Sequence, residues 1–143
     1  MIYHCRLAKR KMERTLFIIK PTAVNKLAEV IKILRNADLI IVDSQQGCYD
    51  INHWKRHYIE HEGKDFYLEL CQEMSGRQVI VMILKSIDAI IKTRKLIGSS
   101  DPAKADVGTL RQLYGHSVRQ NGFHASDSFE SARREINLWF PEK

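Results

Sequence analysis

Apolar positions along this chain switch between a period of two and a period near 3.6, and the switches mark out the elements. Residues 15–19 (TLFII) are a β-branched and aromatic run ending at Lys20-Pro21, which predicts a buried strand delivering Lys20 at its C-terminal end. Leu27, Val30, Ile31 and Leu34 then recur at helical spacing, with Asn25 placed to cap the helix and Asn36 near its stop. Residues 39–42 (LIIV) predict a second strand. Asp50 is placed to cap a helix through His53, Trp54, His57 and Tyr58, and another helix follows around Phe66, Leu68, Leu70 and Cys71. After Gly76, residues 79–84 (VIVMIL) predict a third strand; Ser86 or Asp88 then opens a helix through Ile87, Ile90, Ile91 and Arg94 that stops at Gly98. The polar stretch 99–109 (SSDPAKADVGT) reads as a loop, 110–114 as a short helix and 123–125 as a fourth strand. A final helix puts Phe129, Ala132, Ile136, Trp139 and Phe140 at core spacing, with Asp127 as its cap, Glu130 completing a capping box and Pro141 ending it.

Strands and helices therefore alternate, an order shared by doubly wound parallel sheets and by split-βαβ, ferredoxin-like antiparallel sheets. A dinucleotide-binding parallel sheet wants a glycine-rich turn after its first strand, and here that turn is Lys20-Pro21-Thr22-Ala23. The missing glycine favours the α+β option, without deciding the matter.

Composition narrows the class. A length of 143 residues suits one domain with a real core, and no apolar run reaches membrane length, so no membrane association is expected. The net charge of +6 points toward nucleic acid until its distribution is read. Residues 1–14 hold Arg6, Lys9, Arg10, Lys11 and Arg14 against Glu13, whereas the remainder carries 18 basic and 16 acidic groups. A basic extension over residues 1–12, followed by a near-neutral single domain over 13–143, describes this better than a basic binding face, and nucleic acid is not expected as a partner. Cys5, Cys48 and Cys71 are odd in number and contain no Cys-x-x-Cys pair, so neither a disulfide framework nor a zinc ribbon is indicated. A reducing compartment follows: the cytoplasm, with the acid-free first twelve residues keeping the mitochondrion open.

Three clusters carry candidate chemistry. His53, His57 and His61 are spaced to share one helix face, but they span about 12 Å at 1.5 Å per residue, too far to ligate one ion together. They read as a partly exposed polar face. Gly63-Lys64 lacks the upstream glycine of a phosphate-binding loop, so any phosphates must be held by side-chain cations. The third cluster is NGFHASDS, residues 121–128, where His124 stands on a short strand just before a helix N-terminus, a setting that favours phosphate. Glu135, two turns into that helix, can reach back. A carboxylate that accepts the proton of one ring nitrogen leaves the other nitrogen's lone pair free, which a histidine nucleophile requires. By spacing alone, His124 reads more readily as a satisfied structural histidine than as a nucleophile.

The same stretch resembles the N-x-x-H-G-S-D-S signature of nucleoside diphosphate kinases, and the likeness runs through Ile19-Lys20-Pro21, His57-Tyr58, Arg94 with Gly98, Asp101-Pro102, residues 108–111 (GTLR) and Leu138-Trp139-Phe140. Residues 60–64 (EHEGK) and Phe140-Pro141 are similar to a divergent eukaryotic branch of that family. The resemblance implies a ferredoxin-like αβ sandwich with a four-stranded antiparallel sheet, a βαββαβ core with covering helices. It implies ping-pong transfer of the γ-phosphate of a nucleoside triphosphate to a nucleoside diphosphate through a phosphohistidine on His124, with Glu135 orienting the ring and Ser126 hydrogen-bonding beside it. Lys20, Tyr58, Arg94, Ser100, Arg111 and Asn121 fall at phosphate, ribose or histidine-neighbour positions, and Phe66 where an aromatic stacks on the base. The implied cofactor is Mg2+, held by the nucleotide's phosphates rather than by a protein metal site. The implied assembly is a homo-oligomer, the hexamer favoured over lower orders. A kinase-like domain of weak or no activity that works as a binding or assembly partner is the alternative reading.

Departures from the pattern locate the open questions. Ala125 replaces the glycine after the histidine, adding a methyl group that would be strained if φ there were positive. Arg119-Gln120 replaces a Gly-Arg pair, Ser100 replaces threonine while keeping the hydroxyl, and Arg77 replaces proline.

Overall fold

The computed structural model describes residues 10–142; Cys5 and most of the basic extension lie outside that range. Strand β1 (Met12–Ile19) lies second from one edge of a four-stranded sheet, next to β3 (Gln78–Ile87), with β2 (Ile40–Cys48) and the three-residue β4 (Phe123–Ala125) at the edges in the order β2-β3-β1-β4. All neighbours are antiparallel. This is the α+β, ferredoxin-like arrangement, and the parallel alternative is excluded.

The sheet is covered on both faces, which is why β1 and β3 read as continuous apolar runs rather than as alternating ones. Period two then divides their side chains. Phe17 and Ile19 of β1 with Ile80, Met82 and Leu84 of β3 pack under helices α1 (Leu27–Asn36) and α4 (Ala89–Ile97). Leu16 and Ile18 with Val79, Val81 and Ile83 pack under α2 (Ile51–His57), α3 (Tyr67–Met74) and the C-terminal helix α6 (Phe129–Trp139). On β4, Phe123 and Ala125 belong to the first layer, so His124 between them projects to the second, toward α2 and α6. A short helix α5 (Leu110–Tyr114) closes the loop that leads to β4.

Several boundaries differ from the sequence expectation. Strand β2 runs on to Cys48 because half of this edge strand faces outward, where Ser44, Gln46 and Cys48 need no apolar partner; a bulge at Ile41/Asp43 shifts its register. Asn25 caps nothing: it sits inside a 3-10 turn, Pro21–Lys26, that precedes α1. Asp88 enters α4 in the left-handed region (φ 53°) without a side-chain cap, and Glu13 Oε1 instead accepts from Ile90 N at 3.2 Å. The last helix is capped by Ser128, whose Oγ accepts from Ser131 N at 3.1 Å, and not by Asp127 with Glu130. Phe129 is 63% exposed, so its place in the apolar spacing does not put it in the core. Asp50 does cap α2, accepting from His53 N at 2.9 Å. No described helix is long and apolar enough to cross a membrane.

Candidate active site

The site lies where the short strand β4 leaves β1 uncovered and the chain turns into α6. Gly122, with φ 88°, makes the bend into β4 and offers its carbonyl to Lys20 N at 2.8 Å, which ties the end of β1 to the start of β4. Lys20 and His124 are thereby held on adjoining strands at the mouth of a cleft of about 570 Å³.

His124 Nε2 lies 2.8 Å from Glu135 Oε1, and Ser126 Oγ donates to the same oxygen at 2.7 Å. Ser126 is itself fixed, because its Oγ accepts from Leu16 N at 3.3 Å, in the middle of β1. Arg134 Nη2 faces the other carboxylate oxygen at 3.5 Å and also bonds Glu60 Oε1 at 3.2 Å. Glu135 is 4% exposed. An ionised carboxylate only accepts, so the ring proton sits on Nε2 and Nδ1 keeps its lone pair.

Cations line the cleft around this ring. Lys20 Nζ donates to Asn121 Oδ1 at 3.2 Å; its desolvation, with the charge of Arg111 nearby, lowers its pKa to about 8. Arg111 is braced by the carbonyls of Gly98 and Phe123 at 3.0 and 2.9 Å, and desolvation and Arg94 bring its pKa down to about 10. Arg94 Nη1 donates to Ala125 O at 3.2 Å. Tyr58 is buried and borders the same cleft, and burial pushes its ionisation upward, so its hydroxyl stays a neutral donor. Lys20, desolvated beside Arg111, and Arg111, desolvated beside Arg94, form a cationic site that gains when an anion arrives.

At the outer end, Phe66 is 38% exposed, with His61 at 5.2 Å between ring centroids and Lys64 Nζ 5.8 Å over its ring. Ser100 is exposed on the opposite wall. All ten residues singled out from the sequence thus border one cleft or, in the case of Ser126, hold a group that does. Ala125 has no positive φ, and its methyl belongs to the core layer opposite His124, so neither strain nor crowding arises at the His124 ring. Arg119 leans on Glu69 and Glu73, each at 3.3 Å, bridging α3 to the loop before β4.

The sequence reading missed His57 as a buried neighbour of His124, along with the Arg134–Glu60 pair and the rim position of Asp127. His57 is 2% exposed, not part of an exposed polar face. Its signal was present in the i, i+4 series 53-57-61, but the charged flanks Lys55 and Arg56 argued for solvent. Among the described residues no group of three or more His, Cys, Asp or Glu side chains stands together as a metal cage. The carboxylates on the cleft wall away from Glu135 are Glu60 and Asp127, a set suited to an ion that brings most of its own oxygen ligands.

The ferredoxin-like sandwich thus carries, in one cleft, a histidine bonded to a buried carboxylate beside Lys20, Arg94 and Arg111. The family model of nucleoside diphosphate kinase matches residues 13–143. A nucleoside diphosphate kinase of Hydrogenovibrio crunogenus is 38% identical over 133 residues, covering 92% of this chain and 94% of its own. Among solved structures, that of Aquifex aeolicus nucleoside diphosphate kinase superposes with a TM-score of 0.87 at 31% identity, covering 91% of this chain and 96% of its own. A Borrelia burgdorferi nucleoside diphosphate kinase, described as a transition state mimic with bound vanadate and ADP, gives 0.84 at 26% identity, covering 92% and 88%. The chain belongs to the nucleoside diphosphate kinase family.

Proposed function

We propose that this protein transfers the γ-phosphate of a nucleoside triphosphate to a nucleoside diphosphate by a ping-pong mechanism through His124, and so serves synthesis of the other nucleoside and deoxynucleoside triphosphates. The observation that carries the reading is the 2.8 Å bond from His124 Nε2 to Glu135, inside a cleft that also holds Lys20, Arg94 and Arg111.

The Nδ1 lone pair attacks the γ-phosphorus in line; the bond from that phosphorus to the bridging oxygen breaks, and the diphosphate leaves with the electron pair. The Nε2 proton stays in place. As the ring takes on positive charge, the carboxylate of Glu135 compensates it without moving, a preorganised electrostatic contribution. Lys20, Arg94 and Arg111 take up charge on the phosphate oxygens, and Tyr58 and Asn121 donate to phosphate or ribose. Phe66 stacks on the base, and because every base has a π-face this accepts purines and pyrimidines alike. A second diphosphate then runs the step in reverse.

Magnesium arriving with the nucleotide would offset phosphate charge, and Asp127 and Glu60 on the cleft wall would be available to hold its waters. Residues 1–12 form a basic extension ahead of the single catalytic domain, 13–143. The functional unit is a homo-oligomer, the hexamer before lower orders. The β2 edge supports this, with Ile40 and Val42 57% and 44% exposed beside unpaired backbone groups. The cytoplasm is the compartment, with the mitochondrion as the alternative. Turnover assays with ATP and a panel of diphosphates test the activity: transfer to several bases is expected, and its absence at saturating substrate and magnesium refutes the reading.

A further inference from the structure

His57 sits under the reacting ring, at a centroid distance of 4.6 Å from His124 and nearly perpendicular to it. Its state is dictated from the core side. Trp139 Nε1 lies 3.0 Å from His57 Nδ1, and an indole N–H only donates, so Nδ1 is an acceptor and the proton must be on Nε2. Protonating Nδ1 would break that bond, and burial next to His124, Arg134 and Lys20 holds the ring neutral in any case. The imidazole therefore carries its N–H on the nitrogen that does not face Trp139, and the residue also borders the cleft. Nε2 is buried and has no hydrogen-bond partner among the described residues. A buried donor without a partner is destabilising, and phenylalanine would fill the same space without that cost. Such an orphan donor calls for a functional explanation.

We propose that His57 is a second functional histidine of this site, a tautomer-locked neutral donor whose Nε2–H pairs with an oxygen of the phosphoryl group once that group is on His124. This rests on the phosphohistidine reading of His124. The donor contributes only in the phosphoryl-bearing states, and the T-shaped packing braces the nucleophile's ring against Glu135 from the opposite side.

His57→Asn separates the two functions of the ring, because its amide oxygen can still accept from Trp139 while the outward donor is gone. Single-turnover formation of the phosphoenzyme from labelled ATP should slow by about tenfold or more, with the ADP dissociation constant held within about twofold. His57→Gln, which returns an N–H at the depth of Nε2, should be faster than His57→Asn. A merely structural histidine predicts a lower melting temperature in His57→Asn with an unchanged rate, and that result overturns the proposal. Should the variants not fold, nitrogen-15 NMR of the wild-type imidazoles decides. His57 should be the Nε2–H tautomer, and its Nε2 resonance should shift when His124 is phosphorylated; an Nδ1–H form or an unmoved resonance overturns the proposal. Wild-type protein that forms no phosphoenzyme refutes the reading of His124 itself, whereas normal labelling of both wild type and His57→Asn refutes only the role of His57.

Discussion

Replacing Glu135 separates the geometric from the electrostatic contribution to the nucleophile. Its Oε1 accepts from both His124 Nε2 (2.8 Å) and Ser126 Oγ (2.7 Å), and its Oε2 faces Arg134 at 3.5 Å. In Glu135→Gln the amide oxygen can keep both donors in place, so the ring stays oriented while the compensating charge is lost. A hydrogen bond to a charged group contributes about 1.5–3 kcal/mol against about 0.5–1.5 for a neutral pair. The difference, about 1–1.5 kcal/mol, corresponds to a roughly tenfold slower chemical step. Glu135→Ala removes position as well: two buried donors lose their acceptor at about 1–3 kcal/mol each, partly relieved by rotation of the Ser126 hydroxyl. A loss of about a hundredfold or more in rate is then expected. Rapid-quench measurement of the first turnover isolates this step from product release. Equal rates for the Gln and Ala variants would refute the charge-compensation reasoning, and wild-type rates in both would remove Glu135 from the mechanism.

Three further outcomes follow from the geometry. Lys20, with its pKa lowered to about 8 by burial, loses its charge as pH rises through that value, so kcat/KM should fall on the alkaline side with an apparent pKa near 8. Lys20→Arg should carry that limb well above pH 10; persistence of the limb would assign it elsewhere. Phe66→Ala should raise KM for every nucleotide by a similar factor, roughly three- to tenfold from about 0.5–1.5 kcal/mol of lost stacking, and a change confined to one base would contradict simple stacking. Ala125→Gly should leave the rate within about twofold and lower stability by about 0.5–1 kcal/mol, as glycine in a strand does, measured by thermal melting; a large gain in rate would show that the methyl group does crowd the site.

Much of this was legible before any coordinates. The all-apolar runs at residues 15–19 and 79–84 located the two central strands because both faces of each are buried, and the series from Asp50 to Tyr58 located α2. The ends were less legible. Residues 43–47 of β2 carry no apolar signal, and the choice between Asp127 and Ser128 as cap depends on a backbone path that residue type does not encode. The ten site residues came from the family signature far more than from spacing, which by itself favoured a structural role for His124. His57 escaped notice because helical spacing cannot tell which of three equivalent histidines meets another strand's side chain. Trp139 of α6 packs on both His53 and His57, and it is His57 whose ring also meets that of His124 on β4.

The central claim is tested most directly by incubating the protein with γ-labelled ATP and magnesium and locating the label by peptide mapping. One acid-labile phosphoryl group on His124, discharged by added nucleoside diphosphate and absent in His124→Ala, is the predicted result. An unlabelled wild-type protein, or a His124→Ala protein that labels and turns over normally, would contradict it.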